Sequence, residues 1–251
     1  MLIDTHCHIH DESYPHDIAE TLQRAAEAGV SHMICVGTNE ANSLEGVKFA
    51  SKYDNITTAV GVHPHDTKDG WAKIAPLFDM DGASKIVAVG EIGLDYFYTH
   101  SPRDIQIKAL EAQIDLALRH DKPIIFHVRE AFDDFWPIFD NFQGVRGELH
   151  SFTDTKANME EALKRGLFIG VNGISTFTKD PVQKEMFASI PLNRMLFETD
   201  APFLTPAPLR GRINEPAFVA YVAERHATLR GIPAEEIASV TAANATALFA
   251  L

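Results

Sequence analysis

Leu2-Ile3-Asp4-Thr5-His6-Cys7-His8 opens the chain, a short apolar run that ends in two histidines two positions apart. Side chains alternate along an extended strand, so His6 and His8 project from one face, as two ligands of a single ion must. The construction recurs. Glu91 follows Ile86-Val87-Ala88-Val89-Gly90, His127 closes Pro123-Ile124-Ile125-Phe126, His150 closes Gly147-Glu148-Leu149, and Asp200 follows the run from Arg194 to Thr199. Six potential metal ligands, each ending a run of the kind that makes a buried strand, point to a metal site carried by a parallel barrel.

Strands are expected at Leu2–His6, His32–Gly37, Thr57–His63, Ile86–Gly90, Pro123–His127, Gly147–His150, Leu167–Val171 and Arg194–Thr199. Helical patterns lie between them at Asp17–Ala28, Ala41–Lys52, Trp71–Phe78, Pro102–His120, Ala131–Phe142, Thr155–Arg165 and Pro181–Ala188. Two more, Glu215–Leu229 and Pro233–Phe249, close the chain. Strand and helix alternating eight times predict an α/β protein, a TIM (β/α)8 barrel with an additional C-terminal helix. An open doubly wound sheet would carry a glycine-rich nucleotide loop after its first strand, and none follows Leu2–His6. No linker interrupts the 251 residues, so a single domain over 1–251 is expected.

Hydrophobic residues make up 45% of the chain and charged residues 23%, the composition of a globular protein with a large core. The net charge of -13 excludes a surface coated for nucleic acid, which needs lysine and arginine against phosphates, so any nucleic acid must be bound locally. The two cysteines, Cys7 and Cys35, fall inside expected strands and read as buried packing residues. No basic segment precedes an apolar stretch and no run reaches the length of a membrane span, which gives a cytoplasmic protein as the expectation.

Sites in this barrel lie at the C-terminal ends of the strands. His6 and His8 end the first strand, Glu91 the fourth, His127 the fifth, His150 the sixth and Asp200 the eighth, so all six are expected on one rim. Asp4, Glu148 and Glu198 each precede a ligand by two positions, where a carboxylate either orients an imidazole or serves as a hydrogen-bonded acid of the barrel. His63, Asp95 and Arg129 fall near the rim, where substrate would be met, and His65 reads as a loop histidine. Ser101 before Pro102 reads as a helix cap, Asn214 as another, and Gly29, Gly166 and Gly231 as helix stops.

The stretches Ile3-Asp4-Thr5-His6-Cys7-His8, Gly61-Val62-His63-Pro64-His65, Val89-Gly90-Glu91-Ile92-Gly93-Leu94-Asp95-Tyr96 and Glu198-Thr199-Asp200-Ala201-Pro202 follow one another in an order and spacing that resembles the TatD family of metal-dependent deoxyribonucleases. Phe126-His127-Val128-Arg129, His150-Ser151-Phe152-Thr153 and the run from Arg210 to Pro216 extend the resemblance to nearly the whole chain. It implies two divalent cations per subunit, with Glu91 bridging them, His6, His8 and Asp200 completing one and His127 and His150 the other. Glu91 and Asp200 would be the catalytic carboxylates, Asp200 taking the proton of the attacking water. His63, Arg129 and Arg212 would hold the phosphate, with Arg210 and Lys179 adding positive charge. A mixed imidazole and carboxylate set does not select among zinc, manganese and magnesium.

Two departures from the family pattern bear on substrate. Ser151-Phe152-Thr153-Asp154 places an acid after His150, and Leu209 stands where many members have histidine. The resemblance therefore implies a deoxyribonuclease of the 3′-5′ exonuclease type acting on single-stranded DNA ends. The alternatives are a hydrolase of a small ester, lactone or amide, and a metal-binding protein without turnover.

Overall fold

In a computed structural model of the chain, covering residues 1–251, the apolar runs become eight strands. They are β1 (Leu2–Cys7), β2 (Val30–Val36), β3 (Ile56–Val60), β4 (Ile86–Asp95), β5 (Ile124–Arg129), β6 (Gly147–Leu149), β7 (Phe168–Val171) and β8 (Met195–Phe197). They form one sheet in sequence order, with β3–β4, β4–β5, β5–β6 and β7–β8 paired in parallel. The helices are α1 (Ile18–Glu27), α2 (Glu40–Ala50), α3 (Arg103–Arg119), α4 (Phe132–Asp140), α5 (Lys156–Lys164), α6 (Ile174–Phe177), α7 (Pro181–Ser189), α8 (Val219–Arg230) and α9 (Ala234–Phe249). The fold class is the (β/α)8 barrel, with α9 as the additional C-terminal helix. Contacts divide the residues into two units, Met1–Ile34 with Ser151–Leu251, and Cys35–His150.

In the first unit β1 and β8 run side by side. The Asp200 amide donates to His6 O at 2.8 Å, the His8 amide donates to Ala201 O at 2.7 Å, and Cys7 pairs with Ala201 in parallel. Strand β8 stops at Phe197, short of the expected Thr199, because the Thr199 amide and hydroxyl turn instead to the buried Asp4 carboxylate at 2.9 and 2.6 Å. Asp200 then takes a φ of 57°. That left-handed conformation is costly for a residue with a Cβ and persists where its surroundings over-determine it. Asn214 is not a helix cap: its amide nitrogen donates to Thr199 O and Phe203 O at 2.7 and 2.6 Å, tying down the loop that carries Asp200. The expected helix from Glu215 begins as a 3-10 turn over Pro216–Phe218 before α8, and Glu215 pairs with Arg24 of α1 at 2.7 Å. Gly29, Gly166 and Gly231 all take positive φ after their helices, as expected.

In the second unit β4 runs well past Gly90, to Asp95, so Glu91 lies within the strand and not at its end. Its pairing with β5 continues through Gly93 opposite His127 and Asp95 opposite Arg129. Gly93 is required there, since a Cβ would run into the His127 carbonyl. The helix expected at Trp71–Phe78 does not form. Three 3-10 turns, Thr67–Asp69, Ala75–Asp79 and Ala83–Lys85, replace it, because Pro76 lacks an amide hydrogen and Gly70 and Gly82 take φ of 102° and 91°. Ile74 and Leu77 still pack into a core with Val47, Val60, Val62, Ile86 and Leu116. Ser101 does not cap α3. Its hydroxyl donates to His65 O at 2.7 Å and accepts from the Lys68 amide at 3.1 Å, leaving Pro102 at the cap position.

Candidate metal centres

In the first unit, His6 and His8 leave β1 on the face that strand alternation assigns them, and Asp200 meets them from the turn after β8. The two Nε2 atoms lie 3.1 Å apart, and Asp200 Oδ1 lies 3.7 Å from His6 and 3.3 Å from His8. Both histidines are buried. Asp4 accepts from the His6 amide at 3.3 Å and from the Thr199 amide and hydroxyl. It is the hydrogen-bonded acid of the barrel, and burial, partly offset by the Thr199 hydrogen bonds, pushes its carboxyl up to about 8. Glu198 has the same kind of place, accepting from the Ser151 amide at 2.7 Å and the Asn172 side chain at 3.3 Å. Glu148 is fully buried.

In the second unit, Glu91 Oε1 is the centre of a group of imidazoles. It lies 2.8 Å from His127 Nδ1, 3.6 Å from His63 Nε2 and 3.7 Å from His150 Nε2. The other ring nitrogen of His127 faces Asp95 Oδ2 at 3.0 Å, and the same oxygen lies 3.0 Å from His65 Nε2. Burial opposes charge on His127, but the hydrogen bonds to Asp95 and Glu91 outweigh it and raise its pKa. For Asp95, burial is overcome by His127, the Tyr98 amide and His65, which hold its carboxyl well below the usual carboxylate range.

Asp95, expected to meet substrate, is therefore a buried support for His127. His65 is not a loose loop histidine but Asp95's second partner. Period two aligns Asp95 with Glu91 on one strand face once the strand runs on to Asp95, past the expected end at Gly90. Helix α3 holds both strand ends through two buried glutamines. Gln106 accepts from the Asp95 amide at 2.9 Å and donates to the Asp95 carbonyl at 3.1 Å, while Gln113 does the same for Val62 at 2.7 and 3.2 Å. No sequence pattern singled them out, since a buried glutamine is recognised only by what it faces.

His63 shares the second cluster, where burial and then the neighbouring His127 depress its pKa well below the ordinary value. Its Nδ1 accepts the His65 amide at 3.1 Å. A neutral His63 consequently carries its proton on Nε2 and presents a donor toward Glu91, not a lone pair. That suits an oxygen of a substrate better than a cation.

The expected phosphate-binding cations are more scattered. Arg129, at the exposed end of β5, lies with its guanidinium over the Phe97 ring at 3.9 Å. Arg212 and Lys179 are exposed, and Arg210 is tied to Thr205 O at 2.8 Å and stacked over Phe177. Asp154 is engaged at the start of α5, where it accepts from the Thr155 amide at 2.6 Å and the Asn158 side chain at 2.7 Å.

Both clusters fit a divalent cation. The potential ligand atoms of His6, His8 and Asp200 lie within 4.8 Å of one another, Glu91 Oε1 has ring nitrogens of His127 and His150 at 2.8 and 3.7 Å, and these nitrogen and oxygen donors are those that zinc, manganese and related ions accept. The model describing TatD related DNases matches residues 3–250. The chain belongs to the TatD-related DNase family. This TatD-family protein is a metal-dependent hydrolase, and its similarity to other members runs end to end. It is 39% identical over 252 residues to the metal-dependent hydrolase YabD of Bacillus subtilis, covering 99% of both chains. It is 34% identical over 259 residues to the 3'-5' ssDNA/RNA exonuclease TatD of Erwinia amylovora, covering all of both. Among solved structures it superposes on the TatD homologue YjjV of Escherichia coli with a TM-score of 0.92 at 32% identity, covering 100% of this chain and 98% of that one.

Proposed function

We propose that this TatD-family hydrolase is a deoxyribonuclease that removes nucleotides from the 3′ ends of single-stranded DNA, using two divalent cations per subunit. The observation that carries the reading is the pair of histidine–carboxylate clusters, each of which can hold a cation within its own unit. The full-length similarity to a protein named a 3'-5' ssDNA/RNA exonuclease supports it. The match across residues 3–250 supports one domain over the whole chain.

His6, His8 and Asp200 would hold one cation, and Glu91, His127 and His150 the other. Cations bound there would supply Lewis acidity to a phosphodiester oxygen and lower the pKa of water. Asp200 accepts the proton that the water loses as its oxygen bonds to phosphorus. The bond from phosphorus to the 3′ oxygen breaks, and that oxygen leaves with the electron pair and is protonated from solvent. Glu91 fixes the second cluster. His63 Nε2–H donates to a non-bridging phosphate oxygen, and Arg129 and Arg212 offset the phosphate charge.

The net charge of -13 favours an uncharged ester, lactone or amide as a second reading. The position of Asp154 does not, because helix α5 already occupies that carboxylate. Incubating the protein with magnesium, manganese or zinc and 3′-labelled single-stranded DNA, beside a panel of lactones and amides, tests the proposal. Shortening of the DNA from its 3′ end is expected. Intact DNA with a hydrolysed lactone or amide would overturn the nuclease reading.

A further inference from the structure

Of 16 phenylalanines, 5 tyrosines and 2 tryptophans, only Phe97, Tyr98 and Phe203 are exposed, at 48%, 42% and 60%. One adjoins a candidate ligand and two adjoin the support of another. Phe203 lies 6.3 Å from the His8 ring, and Phe97 and Tyr98 follow Asp95, the support of His127. An aromatic ring left in water forfeits its burial energy, so restricting exposure to these positions calls for a ligand.

We propose that Phe97, Tyr98 and the guanidinium of Arg129 form a stacking subsite for an unpaired nucleobase beside the Glu91–His127 cluster. The Arg129 guanidinium lies 3.9 Å from the Phe97 ring centre and 5.0 Å from that of Tyr98, within cation–π range of both. Tyr98 is backed by His65 at 5.3 Å and lies nearly parallel to His100 at 5.6 Å. The platform is rigid. Asp95 Oδ1 accepts the amides of Phe97 and Tyr98, each at 3.0 Å, while the Tyr96 hydroxyl donates to Asp134 at 2.7 Å. The carboxylate that orients His127 therefore also fixes the aromatic pair, and rigid aromatic surface binds at low entropic cost.

The occupant follows from charge and shape. A chain of net charge -13 gains little by neutralising many phosphates, whereas base stacking is indifferent to net charge and to sequence. Paired bases inside a duplex present no free face, so the subsite selects single strands and frayed ends. This inference rests on the nuclease reading for the identity of the polymer alone.

The test uses metal-loaded protein and a phosphorothioate-linked trinucleotide with 2-aminopurine at its 3′ end, whose fluorescence is quenched on stacking. Wild-type protein should quench it. Phe97→Ala/Tyr98→Ala, truncating two exposed side chains, should bind about 5- to 100-fold more weakly with the quench lost; Phe97→Ala alone, which leaves Tyr98 against His65, should fall between. An unchanged quench in the double variant, or none in the wild type, overturns the subsite. So does an unchanged quench accompanied by a lower sedimentation coefficient, which would give the face to a second copy of the chain. Hydrolysis of ordinary single-stranded DNA is read separately: a quench without cleavage keeps the subsite and sinks the nuclease reading, and cleavage without a quench does the reverse.

Discussion

Asp95 Oδ2 stands 3.0 Å from His127 Nε2, on the opposite side of the imidazole from Glu91, whose Oε1 is 2.8 Å from Nδ1. The contact fixes the ring's orientation: with Asp95 accepting from Nε2–H, Nδ1 is the nitrogen turned toward Glu91 and the one that would bind a cation. Such carboxylate partners matter to a metal site almost as much as the ligands themselves.

Asp95→Asn replaces one carboxylate oxygen by a donor, and that group cannot accept from both His127 and His65. Metal affinity should fall about 10- to 100-fold with the fold retained. Competition against a chelating dye measures it, and unchanged affinity would show that His127 needs no such support.

Glu91 is the carboxylate of the second cluster, and Glu91→Gln removes its charge while conserving its shape. The variant should lose the cation of that cluster and, with it, activity. Elemental analysis of purified protein is the check: a metal content equal to that of the wild type would remove Glu91 from the ligand set.

Under the proposed mechanism Asp200 is both a ligand and the proton acceptor, so Asp200→Asn should lower the rate by at least about 10²- to 10⁴-fold. Oligonucleotide binding should survive. Retention of more than a tenth of the wild-type rate would move the base to another residue.

His226 lies on α8, 1% exposed, against Phe187 and Phe197, and neither ring nitrogen has a hydrogen-bond partner. Burial, with Arg230 and Arg225 adding to it, lowers its pKa from 6.5 to about 3. The unfolded chain therefore binds a proton between those values that the folded chain does not. Stability is undiminished above the unfolded pKa and falls by about 1.4 kcal/mol per pH unit as the pH drops from there toward the folded value. His226→Phe should abolish this component. Denaturant titrations of both proteins at pH 7 and pH 5 should show the wild type losing about 2 kcal/mol more than the variant; equal losses would mean that His226 is solvated or paired.

The sequence by itself determined the barrel and its alternation, because apolar runs closed by turn residues and separated by amphipathic stretches leave a parallel sheet few alternatives. It also singled out His6, His8, Glu91, His127, His150 and Asp200 as candidate ligands, since each closes or follows an apolar run of strand character. What it misjudged was local. The fourth strand, expected to end at Gly90, continues to Asp95 because Gly93 can approach the His127 carbonyl. Ser101 and Asn214 are cap residues by type, and each instead binds backbone more than ten residues away along the chain. The support of His127 by Asp95, the clamping of Asp95 and Val62 by Gln106 and Gln113, and the stacking of Arg129 on Phe97 were decided only by the tertiary structure. Each is a contact between side chains and segments brought together by packing, and a polar group takes whichever partner the folded chain brings within about 3 Å.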